Sequence, residues 1–258
     1  MLFGMIHVPP FPGSSSSSRP MTDVLEWCVR DAANLVANGF TGLVVENYWD
    51  TPFAKGRVDP HVVSALTVVV QTLRDEFPDV QLGVNVLRND AHSSLAIATI
   101  TGSQFIRVNV LSYARLTDQG IIEGVGYELS RYKHLLGSTA EVWADVDVKH
   151  SVGLAPVPVA EQVADQLHRG GASKVIFSGA HTGDQTDLGV VQSLVEDGIL
   201  NPDQAVVGSG TTVDNVGQFL PYARHFIVGT SLKEDGLTHK PVDPHRAKAL
   251  VEAYEAAT

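Results

Sequence analysis

The chain has one cysteine, Cys28, among its 258 residues, so neither a disulfide framework nor a cysteine-based zinc site can be built within it. A cytoplasmic location is the expectation that follows. Long hydrophobic runs are missing as well. The longest apolar stretch, Val62 to Val70, is interrupted by Ser64 and Thr67 and falls far short of the roughly 20 residues that cross a bilayer, so no integral membrane segment is expected. Met1 to Gly13 has no basic stretch, and its apolar run is broken by His7 and three prolines, which argues against a secretory signal. Cations are the minority charge, with 18 Lys and Arg against 29 Asp and Glu and a formal net charge of −11. That balance disfavours nucleic acid as the main partner, because phosphate backbones are bound by clustered Lys and Arg. Any bound anion must therefore be gripped locally.

What the chain does have is regular. Its composition, 44% hydrophobic and 18% charged, is that of a folded globular protein. Short β-branched runs alternate with longer stretches of helical period from one end to the other, the pattern of a parallel sheet wrapped in helices. Eight strands are predicted: Phe3–Val8, Gly42–Glu46, Gln81–Val86, Phe105–Val110, Glu141–Val148, Lys174–Ser178, Ala205–Val207 and Phe226–Val228. The helices between and after them are Thr22–Asn38, Pro60–Glu76, Ala91–Thr101, Gly120–Leu136, Val159–Arg169, Asp187–Asp197, Asn215–Leu220 and Pro244–Ala256. Thr22 or Asp23 is expected to cap the first, Asp59-Pro60 opens the second, and Asn38-Gly39 and Gly170-Gly171 are stop signals. Eight units without a long linker fit one α/β domain over residues 1–258, a (β/α)₈ TIM barrel of the phosphate-binding type, better than the alternative of a doubly wound open sheet. The low-complexity stretch, Pro9 to Pro20 with five consecutive serines, reads as a surface loop or as a lid over the first strand.

In a barrel the inward-pointing residues at the carboxyl ends of the strands form the active site, and a period of two tells which residues share a face. On the fifth strand Asp145, Asp147 and Lys149 fall on one face, with Ala144, Val146 and Val148 on the other. Two carboxylates and an ammonium stacked near the axis must form a network, either a self-satisfied plug or an acid/base pair with perturbed pKa values. Lys149 is also a candidate Schiff-base amine. Other strand ends add His7, Glu46, Asn47, Asn85, Arg88, Asn89, Asp90, Arg107 and Asn109. His7, Glu46, Asp145 and Asp147 could together hold a divalent metal, although no His-x-His or His-Glu-x-x-His spacing occurs. No cofactor is demanded by the sequence.

The last two units differ in kind. Gly208, Ser209, Gly210 and Thr211 follow the seventh strand, and Gly229, Thr230, Ser231 and Lys233 follow the eighth. Glycines let the backbone approach an anion, while hydroxyls, N–H groups and a lysine bind it, and these two loops are the usual phosphate site of phosphate-binding barrels. The sixth loop, Ser178 to Asp184 with His181 and Thr182, is expected to form a wall of the same pocket.

The stretches Met5–Gly13, Val45–Phe53, Gly83–Asp90, Phe105–Val110, Thr117–Gly124, Ala144–His150 and Val228–Lys233 resemble the BtpA family over nearly the whole chain. The resemblance implies a barrel of the ribulose-phosphate-binding group. The family label derives from a role in photosystem I biogenesis in cyanobacteria, and the existence of relatives in organisms without photosynthesis means that this is not the shared activity. The expected function is an enzyme acting on a phosphorylated sugar or a ribosyl-phosphate, nucleotide-like substrate by acid/base chemistry, as isomerase, lyase or glycosidic hydrolase. In that scheme Asp145, Asp147, Lys149, Glu46 and His7 are catalytic, and Asn85, Arg88, Arg107, Asn109, His150 and Thr182 bind substrate. The alternatives are a non-catalytic assembly factor that keeps a phosphate-ligand pocket and a metal-dependent hydrolase. A homo-oligomer stays open.

Overall fold

The computed structural model describes residues 1–16, 19–179 and 181–258. Eight parallel strands close on themselves in the order β1 (Leu2–His7), β2 (Gly42–Glu46), β3 (Gln81–Asn85), β4 (Phe105–Val108), β7 (Glu141–Val146), β9 (Lys174–Phe177), β10 (Ala205–Val207) and β11 (His225–Val228), and β11 returns to β1. The expected (β/α)₈ barrel is therefore the observed one. Around it run α1 (Met21–Val36), α2 (Pro60–Glu76), α3 (Ala91–Thr101), α4 (Gly126–Leu136), α5 (Val159–His168), α6 (Leu188–Glu196), α7 (Val216–Phe219) and α8 (Pro244–Ala256). None of them is long and apolar enough to cross a membrane.

The strands alternate as their sequences require. One set of side chains, including Ile6, Val45, Val84, Ile106 and Ala144, meets the helices in the main core. The other set, Phe3, Met5, Val44, Phe105, Trp143, Ile176, Val206 and Ile227, fills the barrel interior. Phe105 stacks on Trp143 with ring centroids 3.7 Å apart, and Phe3 meets both rings edge-on at 5.3 and 5.1 Å. These rings need empty neighbours. Gly42 and Gly83 supply them, since a Cβ at either position would fall 2.2 Å from a ring carbon of Phe3 or Phe105. The interior is thus a solid floor, and the polar residues lie above it.

The fourth and fifth units depart from the predicted pattern. Gly120 does not begin a helix: Gly120–Glu123 is β6, a hairpin partner of β5 (Ala114–Thr117), with Leu116 opposite Ile121. The Asp118-Gln119-Gly120 turn, with Gly120 at φ +95° and Thr117 Oγ1 bonded to Gly120 O, favours a reversal there, and α4 starts six residues later. The fifth barrel strand ends at Val146 rather than Val148, because Asp147 takes a left-handed φ of +51° and turns the chain outward. It continues into β8 (Ser151–Gly153), which pairs with β5 to complete a small antiparallel sheet. At α1 the cap position is Pro20, with no side-chain hydrogen bond, so neither Thr22 nor Asp23 caps it. In the serine-rich loop, Phe11 is fully buried and Ser14 N donates to Phe11 O, which ties down its first half. The lid reading also rests on Ser17 and Ser18, which lie outside the described residues.

Candidate functional site

Above the aromatic floor, β4 and β7 are in register with Arg107 opposite Trp143, so Arg107 and Asp145 project into the barrel at adjacent levels. Arg107 Nε and Nη2 donate to Asp145 Oδ2 and Oδ1 at 2.9 and 2.8 Å, and Asn109 Nδ2 adds a third bond to Oδ2 at 2.9 Å. All three residues are buried. Burial works against the guanidinium charge, but the Asp145 charge and hydrogen bonds, with Glu46, outweigh it and raise the Arg107 pKa above its ordinary value. Both Asp145 oxygens are thereby committed. Asp145 in this way fixes the side chains of Arg107 and Asn109.

On the opposite wall β1, β2 and β3 bring His7, Glu46 and Asn85 to one level, through the pairs His7 with Glu46 and Glu46 with Asn85. Asn85 Nδ2 donates to Glu46 Oε2 at 2.5 Å, and Arg107 Nη1 approaches the same oxygen at 3.9 Å. Asn85 lies behind Glu46 and does not line the cavity, so its role is to hold that carboxylate. His7 packs against Tyr48, centroids 4.6 Å apart. Burial, reinforced by the charges of Lys233, Lys149 and Arg107, holds its pKa well below the usual histidine value, and its Nδ1 is buried without a hydrogen bond among the described residues.

Lys149 enters the cavity between these walls. Its Nζ makes one weak hydrogen bond among the described residues, to Gly208 O at 3.4 Å, while the nearby carboxylates are taken by Arg107 and Asn85. Burial first, then Arg107 and Arg88, lower its pKa from 10.5 to about 8 against the opposing pull of Asp145 and Glu46. Arg88 Nη2 secures the neighbouring backbone through Lys149 O at 2.5 Å.

The third wall is built by the two glycine loops. Gly208, Ser209, Gly210, Thr211 and Thr212 after β10, with Gly229, Thr230 and Ser231 after β11, line the same cavity of about 340 Å³ as His7, Glu46, Arg107, Asn109 and Lys149. Gly210 sits at φ +68°, and a Cβ there would fall 2.2 Å from Gln185 Cα, so the loop's path depends on glycine. Ser231 Oγ donates to Thr211 O at 2.7 Å and links the two loops. Thr211 Oγ1 is buried with no hydrogen bond, and the same holds for Asn109 Oδ1, among the described residues. At the rim, Thr182 Oγ1 accepts from Tyr48 Oη at 3.2 Å and lies 3.1 Å from His150 Nε2, joining the second, fifth and sixth loops.

Two predicted site residues are elsewhere. Asp147 turns away with the left-handed backbone and pairs with Arg115 of β5, its side chain 45% exposed. Lys233 does not line the cavity with the glycine loops. Its Nζ lies 2.7 Å from Asp31 Oδ2 of α1, both side chains fully buried, and Asp31 Oδ1 also accepts from Val242 N. Asp31 was missed although it carried a signal, a charge on the apolar stripe Val24, Cys28, Ala32, Leu35. Of the other strand-end polar residues, Asn89 holds both backbone groups of Val110, Asp90 caps α3, and Asn47 accepts from Leu87 N, so all three are structural. Tyr48, Trp49 and Phe53 line the cavity without having been singled out. The proposed metal set is not gathered, since Asp147 is outside and Asp145 is saturated, and no group of three His, Cys, Asp or Glu is placed to hold a metal among the described residues.

Comparison with known proteins agrees with the fold. The model of the BtpA family matches residues 1–256. The photosystem I biogenesis protein BtpA of Synechocystis sp. is 42% identical over 98% of this chain and 87% of its own length. An uncharacterized protein of Thermococcus kodakarensis is 42% identical over 97% and 94%, and an uncharacterized mitochondrial protein of Caenorhabditis elegans is 30% identical over 95% and 90%. Among solved structures, native KDPGal aligns with a TM-score of 0.61 at 12% identity, covering 99% of this chain and 95% of that one. The 3-hexulose-6-phosphate synthase of Salmonella typhimurium gives 0.60 at 10%, covering 100% and 99%. The N-(5'-phosphoribosyl)anthranilate isomerase of Pyrococcus furiosus gives 0.59 at 12%, covering 99% of both chains. At these identities the structures establish shared architecture alone.

Proposed function

The chain belongs to the BtpA family, and from its pocket we propose that it is an enzyme acting on a phosphorylated sugar or ribosyl phosphate by acid/base chemistry. One observation carries this reading. Three residues that line a single cavity, His7, Asn109 and Thr211, each keep a buried polar atom without an intramolecular partner among the described residues. Buried polar groups are almost always satisfied by protein, water or ligand, so three such atoms on residues around one cavity support a polar occupant there. The glycine loops after β10 and β11 would take the phosphate, with backbone N–H groups and the hydroxyls of Thr211, Thr230 and Ser231 as donors. Arg107, Asn109 and Arg88 would orient the sugar hydroxyls. Glu46, at the end of β2, and Lys149, in the loop after β7, face one cavity and would move protons, while neutral His7 donates or accepts a hydrogen bond. Isomerisation, carbon–carbon cleavage and glycosidic hydrolysis all use such a pair. The names of two structural neighbours, which contain a hexulose phosphate and a phosphoribosyl group, support the choice of ligand class by analogy of fold.

A second reading, a non-catalytic assembly factor, is favoured by the 42% identity to a photosystem I biogenesis protein, and the relative in a nematode argues against photosystem assembly as the shared activity. The test is a thermal-shift titration with D-ribose 5-phosphate, D-ribose and inorganic phosphate. A ligand at a hundred times its Kd stabilises the fold by about 2.7 kcal/mol. The phosphorylated sugar should raise Tm, ribose alone should not, and Thr230→Glu, which places a carboxylate at the anion corner, should abolish the shift. If no phosphorylated compound stabilises the wild type, the reading fails.

A further inference from the structure

Of the lysine and arginine side chains that line the cavity, Lys149 makes the longest hydrogen bond among the described residues. Asp145 is held by Arg107 and Asn109, Glu46 Oε2 by Asn85, and the rim hydroxyl of Thr182 by Tyr48. Among the described residues the Lys149 amine has only the distant carbonyl of Gly208 as a hydrogen-bond partner, and the charges of two guanidinium groups of the same pocket, Arg107 and Arg88, oppose its own. An ammonium so placed is both desolvated and repelled, which lowers its pKa to about 8 and gives the free amine a larger share near neutral pH than an exposed lysine has, and the free amine is a nucleophile. Gly208 also opens the loop that continues into Gly210, Thr211 and Thr212, which puts the amine at one end of the anion corner. A cavity of about 340 Å³ is near the small end of ligand sites and suits a chain of few carbons between the two ends.

We propose that Lys149 forms a covalent imine with the carbonyl carbon of an open-chain sugar phosphate, the phosphate seated on the two glycine loops. The inference rests on the phosphate-sugar reading above and narrows it to aldehydes and ketones. In the step, the Lys149 nitrogen bonds to the carbonyl carbon, and the carbonyl oxygen leaves as water with the two protons of the amine. Protonation of the nitrogen then gives an iminium ion, which draws electrons from the adjacent carbon. No oxidant or reductant takes part. Glu46, whose Oε1 has no intramolecular partner among the described residues, faces the same cavity and takes or returns the proton of that adjacent carbon.

The experiment incubates the protein with D-ribose 5-phosphate or dihydroxyacetone phosphate, adds sodium borohydride, and measures intact mass and peptide masses. The expected result is one adduct per chain, equal to the sugar phosphate less one water plus two hydrogens, on the peptide carrying Lys149. Inorganic phosphate in excess should suppress it, and D-ribose should give none. Lys149→Arg, which retains a cationic side chain, should lose the adduct while keeping the thermal shift with phosphate. Should phosphate ligands stabilise the protein while neither carbonyl compound marks Lys149, the imine is overturned and the broader reading stands. Should no phosphate ligand stabilise it, the broader reading falls as well. A mass distributed over exposed lysines and indifferent to phosphate also overturns the proposal.

Discussion

Lys149 couples the chemistry of the pocket to the stability of the fold. Its pKa is about 8 when folded and near 10.5 when unfolded, so between those values the unfolded chain binds more protons. Stability therefore rises as pH goes from 8 to 10.5, and the full penalty applies below pH 8. A shift of this size corresponds to about 3 kcal/mol. Lys149→Met should gain up to that amount at pH 7, measured by urea denaturation, with the gain shrinking toward zero by pH 10.5; a gain that ignores pH would contradict the assigned environment. The strand-end rule put His7, Glu46, Arg107 and Asn109 at the barrel mouth, where they line one cavity, because a period of two and the position of a strand end are properties of the chain itself, whereas Lys149 reaches the cavity from the loop after β7. It could not tell that Asp145 spends both oxygens on Arg107 and Asn109, since those partners arrive from another strand.

At the scale of elements, two ion pairs that look alike in the sequence separate sharply. Lys233 and Asp31 pin the last barrel loop to α1 in a fully buried contact, whereas Arg115 and Asp147 meet at the exposed edge of the small sheet. Removing one partner of a buried pair costs roughly 3–5 kcal/mol, and an exposed pair contributes at most about 1 kcal/mol. Asp31→Asn should accordingly lower the urea midpoint strongly, while Asp147→Asn should leave both the midpoint and phosphate binding nearly unchanged. Loss of ligand binding in Asp147→Asn would return that carboxylate to the site. The misreading of Asp147 has a definite cause. Strand periodicity extends past Val146 in the sequence, and a left-handed φ at a non-glycine residue leaves no trace in hydrophobic pattern. The β5–β6 hairpin was missed for a different reason: Ile121, Ile122 and the residues that follow suit a helical face as well as a strand.

The whole molecule is divided by height. The lower barrel, closed by Phe3, Phe105 and Trp143 over Gly42 and Gly83, carries stability, and the loops above it carry the pocket. This division made the architecture easy to read, since eight alternating units need only their order, and made the site harder, since its distances depend on how loops fold back. The two glycine loops of adjacent units stood out in the sequence and do line one cavity, while Lys233, the residue that seemed to add charge to them, serves the frame instead.

The antiparallel bonding of β8 to β5 makes the fourth and fifth loops a single flap. Lys149 lies two residues before β8, and Arg115, on β5, grips Asp147 and Ser151 on either side of it. Lys149 is thus held against a small antiparallel sheet rather than on a free strand end. A displacement of the hairpin would carry Lys149 with it and change the distance of its amine from Gly208.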